Sequence, residues 1–171
     1  MAEHTQLLSH WMKHIEGLNQ STQAFYTLVQ RSVDAKKIPD MKFGRTDFKE
    51  GGILSASREY LDIRRGDLRY FICGAPFGNG FFVSSRLIAE GKFADGLMGS
   101  MERGGVMANI AGAVISKVAG TDTFMKIDAA QMYLQLVHRA LLEAVDSMTA
   151  AAKLPPLTES ERKPVMKGFF Q

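Results

Sequence analysis

Residues 68–88 read LRYFICGAPFGNGFFVSSRLI, the densest aromatic and β-branched run in the chain. Side chains of this kind suit a pleated, half-buried surface. The run is interrupted between Gly74 and Gly80, where Pro76, Phe77, Gly78, Asn79 and Gly80 form a loop signal. The stretch therefore predicts a β-hairpin at the centre of a small sheet. Whatever else the chain forms has to cover that sheet.

The residues before the run extend the pattern. From Met41 to Glu90 apolar positions recur with a period of two. Leu61 and Ile63 face one way, and Tyr60, Asp62 and Arg64 the other. Gly51-Gly52 and Arg65-Gly66-Asp67 are turn signals. Strands joined by short turns make an antiparallel meander. Four are expected, at roughly 41–49, 53–65, 68–74 and 80–89.

The flanks carry helical periods. Leu7, Trp11, Ile15, Leu18, Phe25 and Val29 recur at three-, four- and seven-residue steps, which predicts an amphipathic helix over 5–33, with room for a kink near Gly17. Lys36-Lys37-Ile38-Pro39-Asp40 ends that N-terminal helical region, 5–35. Ile127, Ala130, Leu134, Val137, Leu141, Ala144 and Met148 form a stripe that predicts a long helix over 122–152, capped by Thr121-Asp122-Thr123. Leu154-Pro155-Pro156 stops it. Thr158-Glu-Ser-Glu161 matches a capping box for a last short helix. Phe169 and Phe170 are expected to dock on the body.

Residues 92–120 differ from both. Gly96, Ser100, Gly104, Ala108, Gly112, Ser116 and Gly120 fall at a constant spacing of four. On a helix that spacing makes one continuous ridge, here almost without side chains. Met98, Met101, Met107, Ile110, Val114 and Val118 flank it. Small residues four apart let another backbone approach closely. Six glycines between 96 and 120 each cost about 1 kcal/mol of helix propensity relative to alanine, so packing has to supply the helix. A loop centred on Gly104-Gly105 is the rival reading.

With 171 residues, 46% of them hydrophobic and 23% charged, the chain suits one globular domain, 1–171. The formal charge of +3 permits an anionic partner without demanding one. A single cysteine, Cys73, rules out an intrachain disulfide and fits a reducing compartment. The first residues lead one to expect no secretory leader, and no run of 18 apolar residues is present in the sequence.

No convincing catalytic constellation emerges. A phosphate-binding loop uses backbone N–H groups at a strand-to-helix junction with a Lys-Ser/Thr pair. After Gly80 comes strand, without that pair. His10 and His14 stand four apart, but neither a third ligand nor the metalloprotease glutamate accompanies them. His138 has no carboxylate one turn away to orient it. Cys73, inside an apolar strand, is expected as a buried thiol with a raised pKa; a Cys73–His138 hydrolase pair would need tertiary contact. Neither cofactor nor metal is implied.

The basic residues are more suggestive. Ten lie between 36 and 86, against six acids. Arg45, Arg58, Arg64, Arg65, Arg69 and Arg86 are the candidates for a basic sheet face that takes anionic lipid or nucleic acid, and clustering on one face is the test.

The string Ile72-Cys-Gly-Ala-Pro-Phe-Gly-Asn-Gly-Phe-Phe-Val-Ser84 resembles a segment of a family of uncharacterised bacterial proteins, and Thr158-Glu-Ser-Glu-Arg-Lys-Pro-Val-Met-Lys-Gly-Phe-Phe170 is similar to their C-terminal end. The resemblance covers the C-terminal two-thirds of the chain and implies a bacterial origin. It also implies a hydrophobic, membrane-embedded segment between the two blocks. This chain departs from that pattern, because Glu102, Arg103 and Lys117 interrupt its apolar segment. No catalytic residue follows from the likeness.

The expected fold is α+β: an antiparallel meander of about four strands with helices packed on one face. The leading functional expectation is a non-enzymatic interaction module. It would self-associate, or lie on a membrane surface, through 96–120. Its expected partners are a second copy or another protein, and its expected location is the cytoplasm or the periphery of the inner membrane.

Overall fold

The computed structural model of the chain describes residues 5–49, 57–95 and 121–167. In order they form β1 (Thr5–Glu16), α1 (Thr22–Asp34), β2 (Lys42–Lys49), β3 (Ser57–Arg65), β4 (Leu68–Phe77), β5 (Gly80–Glu90), α2 (Thr121–Ala151), α3 (Glu159–Arg162) and β6 (Val165–Met166). The strands make one six-stranded sheet in the order β2-β3-β4-β5-β1-β6, with every neighbouring pair antiparallel.

The four-strand meander is present as β2 to β5. The turns between β3 and β4 and between β4 and β5 are two-residue turns, Gly66-Asp67 and Gly78-Asn79, each with a glycine at positive φ in the first place (57° and 58°). That geometry matches the twist of the flanking strands. The expected loop from Gly74 is much shorter than its composition implied. Strand β4 runs on through Ala75, Pro76 and Phe77, and pairs Pro76 with Phe81 and Phe77 with Gly80.

The sheet has two strands more than expected, and one of them replaces a predicted helix. Residues 5–16 are not helical: they form β1, which lies along β5 from Thr5↔Glu90 to Glu16↔Gly80. The apolar spacing that pointed to a helix is four, at Leu7, Trp11 and Ile15. Four is also an even number, so it suits a strand face as well as a helix face. Long-range pairing with β5 decides between them. A bulge between Leu7 and Ser9 then shifts the register, so that Leu7 faces one way and Trp11 and Ile15 the other. Gly17, at φ 74°, closes the strand. Helix begins only after Ser21, whose Oγ accepts a hydrogen bond from the Ala24 N–H at 3.1 Å. The second added strand, β6, is two residues long and pairs with Ser9 and His10 of β1.

Helices α1 and α2 pack side by side on one face of the sheet. Phe25, Tyr26, Val29 and Val33 of α1 meet the sheet beside the α2 stripe of Ala130, Leu134, Val137, Leu141, Ala144 and Met148, all buried. The sheet contributes Trp11, Ile15, Leu61, Ile63, Tyr70, Ile72, Phe81, Val83 and Leu87 to this core. Helix α3 carries the expected capping box, Thr158 with Glu161. The expectations for 96–120, for the Gly51-Gly52 turn, for the cap side chains of α2 and for Phe169 and Phe170 lie outside the described residues.

Candidate functional site

Alternation along each strand assigns every side chain to a face. One face carries the helices. The opposite, outer face is formed by even-numbered residues of β2, β3 and β5, odd-numbered residues of β4 and, beyond the bulge, even-numbered residues of β1. None of the described helices packs on it. The register aligns its side chains in rows: Lys42, Arg64, Arg69, Ile88 and Leu7 in one, and Gly44, Asp62, Phe71, Arg86 and His10 in the next. Phe48 faces Arg58 across β2 and β3, and Ala75, Phe82 and His14 align at the same end.

Four of the six expected arginines, Arg58, Arg64, Arg69 and Arg86, share this face. The other two do not. Arg45 lies on the helix side, with its guanidinium 4.5 Å from the Tyr26 ring centre and 3.6 Å from Glu59. Arg65 also points to that side, and its Nε donates to the Pro39 carbonyl at 3.3 Å. Parity explains both. Arg65 follows Arg64 directly, so the two cannot share a face, and Arg45 is opposite inward-facing Leu61.

Asp62 organises one half of the face, and sequence reasoning missed it. Its carboxylate is 0% exposed. Arg64 donates to it at 2.7 Å through Nε, Arg69 at 2.6 Å through Nη2, and Thr46 Oγ1 lies at 3.3 Å. Arg69 also bridges to Glu90 at 2.8 Å and stacks over Phe71. Burial raises the pKa of Asp62, but hydrogen bonds from Arg69 and Arg64 more than offset it and hold the carboxyl below its ordinary value. The signal was legible: a carboxylate flanked by Leu61 and Ile63 on a strand with two arginines on neighbouring rows.

Arg58 and Arg86 differ from that pair. Neither makes an ion pair among the described residues. Phe48, Tyr60 and Phe71 form an edge-to-face cluster near them, with ring centres 5.0 and 5.2 Å apart. His10 stands across from Arg86, and its Nδ1 is buried without a hydrogen-bond partner; nothing in the structure explains this.

Cys73 is buried on the same outer face, opposite Ser84. Burial pushes the thiol pKa up, against the pull of Arg58 and Arg86. His138 is on the other side of the sheet. Its Nε2 donates to the Arg162 carbonyl at 2.6 Å, and its Nδ1 lies 3.3 Å from the Tyr70 hydroxyl, which in turn reaches Ser85 at 3.2 Å. The sheet thus separates Cys73 from His138, and that pair is not assembled. An open groove of about 650 Å³ runs beside His138, between α2 and the C-terminal segment, with Gln131, Gln135, Arg139, Asp146 and Arg162 among its lining residues. Both nitrogens of His138 are already engaged, so it offers no free base to that groove.

His10 and His14 lie on one strand face, about 13 Å apart at a strand's rise, not on adjacent helical turns. His14 Nε2 is 2.9 Å from the Phe77 carbonyl. Of the loop residues, Phe77 is exposed, Gly78 and Asn79 form the turn, and Asn79 donates to Glu16 at 2.7 Å. Among the described residues no cluster of ligands for a metal ion occurs, and no helix is long and apolar enough to cross a membrane.

Compared with known protein families, curated proteins and solved structures, the chain matches none.

Proposed function

We propose that the protein is a non-enzymatic binding module whose outer sheet face takes an anionic, phosphate-bearing partner. The observation that carries this reading is the sharing of one face by Arg58, Arg64, Arg69 and Arg86, opposite the face that holds the helices. Among the described residues, two of these cations, Arg58 and Arg86, have no carboxylate partner. A cationic surface attracts polyanions and releases their counterions on contact, so affinity depends on salt. The test is binding of the purified chain to anionic vesicles and to a single-stranded oligonucleotide as salt rises. With the two unbalanced cations engaged on the single strand, the log–log slope is expected to be about −1.4. Salt-independent binding, or none at low salt, overturns the reading.

A second reading keeps the 96–120 segment as a self-association surface. It is supported by the spacing of Gly96, Ser100, Gly104, Ala108, Gly112, Ser116 and Gly120 beside a Met/Ile/Val flank. Light scattering is expected to give an oligomer that Gly112→Leu dissociates. A strict monomer, unchanged by that substitution, removes it.

A further inference from the structure

We infer that the anion seat on the outer face is the pair Arg58 and Arg86, set on either side of Cys73, and that it takes phospholipid headgroups of a membrane whose acyl region receives Leu7, Met12, Phe48 and Phe77. This inference rests on the anionic-partner reading and narrows it in two ways.

The first concerns which cations are available. Arg64 and Arg69 are committed to Asp62, and Arg69 also to Glu90, so their charge is already balanced within the sheet. Arg58 and Arg86 have no such partner among the described residues. Cys73 is opposite Ser84, and Arg86 is opposite Phe71, which puts Arg86 diagonally across from the thiol. Diagonal neighbours on a sheet are about 7–8 Å apart, within reach of a long side chain. Arg58 lies on β3, on the other flank of β4. The register that pairs Leu61 with Ile72, continued along β3, sets Arg58 diagonally across from the thiol on that side. One phosphate held between two planar, five-donor guanidinium groups is the ligand geometry that arginine suits best.

The second concerns what surrounds the seat. Leu7 (38% exposed) and Met12 (55%) line the face along β1. Phe48 (45%) stands near the far edge on β2, and Phe77 (62%) at the end of β4. All four belong to the outer face. Nucleic-acid bases stack on aromatic rings. Leu7 and Met12 have no ring to offer, but both can enter the acyl boundary of a bilayer, as apolar side chains do around a basic centre on interfacial proteins. An apolar perimeter around a cationic middle therefore favours a lipid surface over a nucleic acid.

The test is co-sedimentation of the full chain with vesicles of phosphatidylcholine alone, or mixed with phosphatidylglycerol. The variants are Arg58→Gln with Arg86→Gln, Arg64→Gln, and Met12→Ser with Phe48→Ser, each checked for retained fold by circular dichroism. Wild type is expected to pellet only with the anionic vesicles. Each seat arginine is expected to contribute about fivefold, so the double variant loses about 25-fold. Arg64→Gln is expected to lose less than fivefold, and Met12→Ser with Phe48→Ser to weaken pelleting without changing its salt slope. Salt-dependent pelleting that survives loss of Arg58 and Arg86 overturns the seat and leaves the broader reading standing. Binding of an oligonucleotide without binding of vesicles overturns the lipid assignment alone. No binding of either at low salt overturns both.

Discussion

Gly74 lies where two aromatic rings meet the sheet. A Cβ built there would stand 2.2 Å from Phe25 Cδ1 and 3.1 Å from Phe81 Cε1. Both phenylalanines are fully buried and pack edge to face, so neither ring has room to retreat. Gly74→Ala is therefore expected to destabilise the protein by about 1–3 kcal/mol, the usual penalty of overpacking a core. Gly78 fails for another reason. Nothing lies within 4 Å of its missing Cβ, but its φ of 58° strains any L side chain, so Gly78→Ala is expected to cost about 1 kcal/mol, and Gly78→Asn less. Urea unfolding of the three variants measures both effects. Composition alone treats these glycines alike, as suppliers of positive φ. That is correct for Gly78. The requirement at Gly74 comes from Phe25 on α1, a distant contact that no local pattern reports.

The C-terminal segment behaves as one element tied down at several points. The Trp11 indole N–H donates to the Glu161 carbonyl at 2.6 Å, and Lys13 pairs with the Glu161 carboxylate. Arg162 grips Asp146 of α2 through both terminal nitrogens, at 2.6 and 3.0 Å, while its carbonyl accepts from His138. Beyond it, the Lys167 N–H donates to the Leu8 carbonyl at 2.8 Å. His138 makes this clasp sensitive to acid. Burial holds its pKa below the ordinary 6.5, so in the folded state the ring stays neutral longer than in the unfolded chain. Between those two pKa values the unfolded state binds more protons, and stability rises with pH. The contribution is complete above about pH 6.5 and is lost as pH falls below it. Asp62 acts in the same direction but lower, below its ordinary 3.8. Thermal unfolding followed against pH is expected to show a decline starting near pH 6.5. In His138→Gln that upper part of the decline flattens, and the low-pH part remains. An unchanged profile in the variant means that His138 does not set it.

Across the whole molecule, what the sequence made legible is what is local. The meander of β2 to β5 follows from alternation and two short glycine turns, and the long helix α2 from a stripe every three or four residues. Strands β1 and β6 were not legible. Each is defined by a partner far along the chain, and the four-residue spacing of Leu7, Trp11 and Ile15 is as good for a helix as for a strand. The candidate face was half legible. Arg58, Arg64, Arg69 and Arg86 could be sorted from Arg65 by parity alone. The separation of balanced from unbalanced arginines could not, because it depends on how Asp62 and Glu90 sit across strands.

The position of β1 also bears on how the protein is made. It precedes the other described elements in the chain, yet it lies inside the sheet, between β5 and β6. Its first partner residue, Gly80, follows Glu16 only after α1 and three strands have been added. At about 5–20 residues per second, β1 waits roughly 3–13 s on the ribosome for its neighbour, and its second partner, β6, follows only after α2 and α3 as well. Trp11 and Ile15, buried in the finished fold, remain without their cover through that interval. Among the described strands, β1 is thus the one that waits longest for a partner.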